Sequence, residues 1–214
     1  MIVAIAGGHG QIALLLEKAL GERGDSPVGI VRNPDHVDDV EATGAEAVVL
    51  DLEQADVSEV TDVVKGADAV VFAAGGGPNS GAARKETVDK GAAILLAEAA
   101  EQAGVRRYVM VSSMGTDKAD PDSQDVFQVY LRAKKAADDD LRSRDLDWTV
   151  VRPGRLTDTP PGGRVQVGTL PRGEISRADV AAVLATVLHD DATIGKTFDL
   201  LAGHQTVEAA LAGL

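Results

Sequence analysis

Three groups of residues have the types and spacing to do chemistry. The first lies in "AIAGGHGQIA", residues 4–13, where Gly7-x-x-Gly10-x-x-Ala13 separates an apolar run from a helix-like run. Gly7 can turn the chain sharply, Gly10 removes the Cβ that would hold a pyrophosphate away, and Ala13 is small enough for close helix–strand packing. The helix that follows would aim free N–H groups, Gln11 and Ile12 among its first residues, and its positive dipole end at an anion. A glycine turn of this kind also serves purely structural ends, and alone it is a weak signal; here it opens a ~30-residue strand–turn–helix–strand unit. The second group is Arg32, with His9 inside the turn. Arg32 falls about twenty residues past the glycines, where binders of NAD carry an acid for the ribose 2'-hydroxyl. A guanidinium there suits a 2'-phosphate, so the expected cofactor is NADP(H). A solvated strand-end cation would look the same. The third group is Tyr130 and Lys134 in "YLRAKKAADDDL", four residues apart on one helical face, downstream of Ser112-Ser113. An ammonium beside a phenol favours the phenolate and lowers its pKa. Such a tyrosine exchanges the proton that accompanies hydride transfer at a carbonyl or alcohol, with Ser113 orienting that oxygen. Lys134 could also hold the nicotinamide ribose. A surface helix with a buried tyrosine body has the same spacing.

These groups need a scaffold, and the chain alternates short apolar runs with helical patterns. Runs at 2–6, 28–31, 47–50, 69–74, 108–111, 148–151 and 197–200 read as buried parallel strands. Helical patterns cover 11–23, 34–43, 56–65, 81–103, 124–144 and 177–189. The alternation implies an α/β fold, a Rossmann-type doubly wound and mainly parallel sheet in one domain spanning 1–214. Ligands of such sheets bind beyond the carboxyl ends of the strands. At two of those ends lie Asp51-Leu52, where a carboxylate can accept from an adenine amino group or simply cap a helix, and Ala73-Ala74-Gly75, small enough for a cofactor to cross. The stretches 114–123 and 153–174 are irregular; 153–175 is expected as a loop or small lobe over the substrate site.

Composition narrows the classes. The 214 residues carry a formal net charge of −13 and no cysteine. The acidic balance disfavours nucleic acid and anionic membranes as partners, and the missing cysteines exclude disulfides and thiolate catalysis. The four histidines lack metal-ligand spacing, so no metal site is expected. The N-terminus lacks the basic segment of a signal peptide and no run reaches the ~20 apolar residues of a membrane span, which gives a cytoplasmic expectation. Arg106-Arg107 and the "ADDDL" segment are expected to face water.

As a set, "AGGHGQIA", "GIVRNP", "VVLDLE", "GADAVVFAAGGG", "VDKGAAILLAEAAEQAGVRRYVMVSS", "YLRAKKAADDDL", "LDWTVVRPGRLTD" and "ISRADVAAVLATVL" resemble the atypical short-chain dehydrogenases/reductases. The resemblance is to their NAD(P)H-binding, NmrA-like group, which includes flavin and biliverdin reductases and proteins described as NAD(P)-dependent epimerases. It covers nearly the whole chain. It implies Gly7, Gly10, Gln11 and Ile12 at the pyrophosphate, Arg32 at the 2'-phosphate and Asp51 and Leu52 at adenine. It further places 73–75 on the adenosine-ribose side, and Ser112, Ser113 and the Arg152-Pro153-Gly154 turn near nicotinamide. The region around Asp89-Lys90 departs from the family by lacking the asparagine of its catalytic tetrad. Two functions follow. One is an NADPH-dependent oxidoreductase acting on a small carbonyl, quinone or flavin-like molecule. The other is a non-catalytic NADP(H) sensor that reports to a protein partner. A nucleotide-sugar epimerase fits less well, because only about 60 residues follow the sixth strand.

Overall fold

A computed structural model describes residues 1–77 and 80–214. Its sheet has eight strands in the order β3-β2-β1-β4-β5-β6-β10-β8. These are β1 (Ile2–Ala6), β2 (Ser26–Val31), β3 (Glu46–Val49), β4 (Ala69–Phe72), β5 (Arg107–Val111), β6 (Asp147–Pro153), β8 (Val165–Gly168) and β10 (Lys196–Ala202). All neighbours pair parallel except β8, which runs antiparallel to β10 at the edge. Strand order reverses between β1 and β4, and a crevice opens at that point beyond the strand ends.

Both faces of the sheet are buried, as the near-continuous apolar strands require. Along β1 the side chains alternate: Val3 and Ile5 join a cluster with Leu16 and Leu20 of α1 (Gln11–Arg23) and Leu184 of α7 (Arg177–Val187). Ala4 and Ala6 join the opposite cluster, with Val60 of α3 (Val57–Val64), Leu96 of α5 (Ala93–Ala103) and Leu141 of α6 (Val126–Arg142). α2 (Val37–Glu41) and α8 (Val207–Leu211) are short.

Three departures from the sequence reading bear on the site. The pattern at 81–103 is not one α-helix: α4 (Ala82–Arg84) passes into a π-helical segment, Lys85–Ala92, before α5. Wide π turns are rare and concentrate at functional sites. The stretch 153–175 is partly ordered: β7 (Arg155–Thr157) and β9 (Glu174–Ser176) form a two-stranded parallel sheet, and β8 extends the main one. The 34–43 helix shrinks to a 3₁₀ turn, Pro34–His36, followed by α2.

Candidate functional site

The turn after β1 is held by backbone approach. Gly7 has φ +83°, and a Cβ on it would lie 2.6 Å from the Ala74 Cα. A Cβ on Gly8 would lie 2.7 Å from the Gly29 Cα. The N–H groups of both glycines donate to the Ile30 carbonyl, at 3.2 and 3.0 Å. The turn is thus wedged between the ends of β2 and β4, and it delivers α1 in a defined direction. α1 starts at Gly10 with no side-chain cap and no acidic residue in its first turn. α3, α6 and α7 start on Asp56, Asp125 and Ser176, whose side chains accept from their first-turn N–H groups. The N-terminal N–H groups of α1 and its positive dipole end are left for an anion.

A cavity of about 250 Å³ opens over this turn. Gly7, His9 and Gly10 form its floor, Arg32 stands at the end of β2, Asp51 and Leu52 follow β3, and Ala73, Ala74 and Gly75 follow β4. The structure therefore brings these nine sequence-predicted residues together around one cavity. It adds residues the sequence did not reveal. Arg84, from α4, donates to Glu53 Oε2 through Nε (3.2 Å) and an Nη (2.9 Å). Arg32 donates to the same oxygen at 3.1 Å, and Thr87 donates to Oε1 at 2.7 Å. These cations and the threonine hydroxyl hold the Glu53 carboxyl below its usual range against the opposing effect of burial. Two guanidiniums from opposite walls thus converge on one carboxylate at the rim. His36 stacks on His9 with ring centroids 3.6 Å apart, and His9 meets Asp39 at 2.8 Å.

Beyond the cavity, at the exits of β5 and β6, lie the expected catalytic residues. Ser113 is half-buried beside Tyr130, whereas the buried Ser112 donates its hydroxyl to Asp138 Oδ2 at 2.9 Å. The Lys134 side chain is only 3% exposed; it donates to the Val111 carbonyl (3.1 Å) and the Ala74 carbonyl (3.4 Å) and lies 3.6 Å from Asp89 Oδ1. Tyr130 stacks on the exposed Phe127, with centroids 5.9 Å apart, and Lys85 Nζ stands 5.3 Å from its ring centroid. Arg152 donates to Asp138 (2.9 and 3.0 Å) and to Asp117, which fastens the loop after β5 to β6.

The description of an NAD(P)H-binding family matches residues 7–191. The chain belongs to this NAD(P)H-binding family. The UPF0659 protein YMR090W of Saccharomyces cerevisiae is 35% identical, covering 100% of this chain and 99% of its own length. A candidate NAD-dependent epimerase/dehydratase of Bacillus halodurans, 37% identical, superimposes over the full length of both chains with a TM-score of 0.93. A Veillonella parvula short-chain dehydrogenase/reductase solved with NADP shares the fold at 17% identity and a TM-score of 0.74, covering 94% of each chain.

The residues expected around the dinucleotide fit one: Gly7 and Gly8 have no room for a Cβ beside the neighbouring strand ends, α1 is uncapped, and the cavity continues to Asp51 and Leu52. Several expectations require correction. The Tyr130 phenol is not lowered: burial pushes it up to about 12, Asp89 and Asp138 add to the rise, and Ser113 only partly opposes it. Lys134 is not among the groups that shift the phenol, and its ammonium stands 3.6 Å from Asp89 Oδ1. Asp138, in "ADDDL", is fully buried rather than solvated. Arg107 is buried too, donating to the Asp147 and Val187 carbonyls at 2.7 Å each, while Arg106 does reach water. Gln11 and Ile12 are not among these corrections: they open α1, in the first turn that has no side-chain cap. Pro153 is buried with its carbonyl accepting from Met114 N–H (3.0 Å), and a Cβ on Gly154 would meet the Gly173 carbonyl oxygen at 2.5 Å. That turn has a packing role whatever else it does. Among the described residues, no group of three acidic or imidazole side chains is placed to hold a metal, and no helix is long and apolar enough to cross a membrane.

Proposed function

We propose that this protein is an NADPH-dependent reductase of a small carbonyl, quinone or flavin-like molecule, working in the cytoplasm without a nucleic-acid or membrane partner. The observation that carries the reading is the phenol of Tyr130, set beside Ser113 at the strand exits that adjoin the nucleotide cradle. The phenol carries its proton at neutral pH, so one is available to a carbonyl oxygen as hydride arrives; its raised pKa makes it a weak acid, and the developing alkoxide, a stronger base, has to draw the proton off. The bound nicotinamide supplies the hydride. Ser113 orients the acceptor oxygen, Tyr130 donates to it, and Phe127 beside Tyr130 offers an apolar face to a planar substrate. Arg32 and Arg84 favour the 2'-phosphate of NADPH, a dianion that can replace Glu53 between them.

A second reading has its own support. The Tyr130 phenol is raised rather than lowered, which suits a protein that binds NADP(H) and signals redox state to a protein partner without turnover. The experiment that separates them follows the loss of NADPH absorbance with a panel of aldehydes, ketones, quinones and flavins. Reduction of any of them supports the reductase. Tight NADPH binding with no acceptor reduced supports the sensor.

A further inference from the structure

The π-helical segment carries a buried carboxylate that neither reading uses. Asp89 is fully buried. Its Oδ2 accepts from the Gly76 N–H at 3.0 Å, on the loop leaving β4. Its Oδ1 accepts no hydrogen bond and lies 3.6 Å from Lys134 Nζ. A Cβ on Gly75 would come within 3.1 Å of this oxygen, and one on Gly76 within 3.2 Å of Oδ2, so the loop's two glycines are shaped around the carboxylate. Lys134 itself is enclosed. Below it is the Phe72 ring, 5.0 Å from Nζ; beside it are Asp138 on its own helix and Lys85 on the π segment. Lys85 Nζ is 4.0 Å from Asp89 Oδ2 and donates to the Gly77 carbonyl at 2.6 Å. One carboxylate is thus flanked by two buried lysines and tied to the loop that carries part of the cofactor cradle.

We propose that Asp89 is a positioning residue for the cofactor, acting as the countercharge that keeps Lys134 an ammonium and as the pin that holds the Gly75–Gly76 loop clear of the nucleotide path. The proposal rests on the reading that the cofactor crosses this loop toward Lys134. A buried ammonium loses its proton readily unless an anion faces it. Here burial and Lys85 lower the Lys134 pKa while Asp89 and Asp138 raise it. A charge on Asp89 does what an amide of the same shape could not.

The test is a ¹³Cε-lysine NMR titration of the cofactor-free protein, with Lys134 assigned by Lys134→Arg, alongside calorimetric NADPH binding across pH. Asp89→Asn keeps an acceptor for Gly76 but removes the charge; the Lys134 titration should move down by about one unit or more. Asp89→Glu should restore it. Lys85→Met should move it up, and this opposite sign keeps the test decisive if Asp89→Asn folds poorly, since a general loosening shifts both variants alike. NADPH affinity of Asp89→Asn should match the parent at low pH and fall about tenfold below it as Lys134 loses its proton. Unchanged Lys134 titration in Asp89→Asn, or shifts of the same sign in both variants, overturns the proposal. A shifted lysine with NADPH affinity equal to the parent at every pH instead overturns the placement of the cofactor on this loop, and leaves the countercharge role standing.

Discussion

On the proposed reading, cofactor choice rests on two arginines and a glutamate. If Arg32 and Arg84 share the 2'-phosphate, Arg32→Ala and Arg84→Ala should each cost NADPH about tenfold in affinity and leave NADH nearly unchanged, as titration calorimetry would show. Glu53→Gln should tighten NADPH, because the guanidiniums no longer have a resident anion. Equal NADPH and NADH affinities in the parent would exclude the assignment. Tyr130→Phe should still bind NADPH while reduction of a ketone or aldehyde falls by ~10²–10⁴. Quinones and flavins are less informative acceptors, since solvent can protonate their reduced forms. Glu17 governs a different quantity. It is fully buried in α1 against Gly8 and Gly29, with Oε1 unpartnered. The Thr43 hydroxyl lies 2.6 Å from the Val40 carbonyl and 3.3 Å from Glu17 Oε2. The shorter contact takes the single hydroxyl hydrogen, so the longer one is best satisfied when Glu17 carries a proton and donates to Thr43. Burial raises its pKa from 4.5 to about 7. The folded chain then holds that proton more tightly than the unfolded one. The stabilisation is complete below pH ~4.5 and is lost as pH rises to ~7, a change of up to about 3 kcal/mol. Glu17→Gln should flatten this slope and be the more stable form at pH 8 in denaturant titrations. Nothing in the sequence marks Glu17, because a glutamate in a helix reads as a solvated residue until the neighbouring strand is seen to be Gly29.

At the scale of elements, the uncapped start of α1 yields effects of opposite sign. Gly10 is extended, at φ −66° and ψ 145°, a conformation that aspartate adopts freely. Gly10→Asp should supply the missing cap, a gain of about 1 kcal/mol set against the crowding of its Cβ 3.0 Å from the Gly7 carbonyl oxygen, so that the protein stays folded, while its carboxylate cuts NADPH affinity more than tenfold. Calorimetry and denaturation together check both. Most elements were legible because each obeys one local rule. β1 to β6 are apolar and bounded by turns, α3 begins with the Asp56–Glu59 capping box, and α1 ends on a left-handed Gly24. The π segment was not legible, since its residues suit an α-helix and only the tertiary contacts of Asp89 and Lys85 reveal the wider turn. β8 was missed because VQVG offers two apolar residues within a glycine- and proline-rich stretch, and α8 because five residues give little more than one helical turn of pattern.

For the whole molecule, the βαβ alternation implied the parallel sheet, and the structure supplies the strand order that opens the crevice between β1 and β4 where the nine predicted cofactor residues meet. What stayed hidden was convergence across the sheet: Arg84 reaching Glu53, and Asp138 reaching Arg152, join residues 31 and 14 positions apart that no local rule pairs. The Arg32–Glu53–Arg84 cluster also has a kinetic consequence. The molecule carries a formal charge of −13, and its ligand is a polyanion. With Glu53 tied to both guanidiniums, the mouth of the crevice offers approaching nucleotide little attractive field to offset the acidic exterior. Encounter should therefore be repulsive at long range, and added salt, by screening that repulsion, should speed NADPH association in stopped-flow measurements. Glu53→Gln should weaken or invert this salt dependence, because the freed arginines then steer the nucleotide inward.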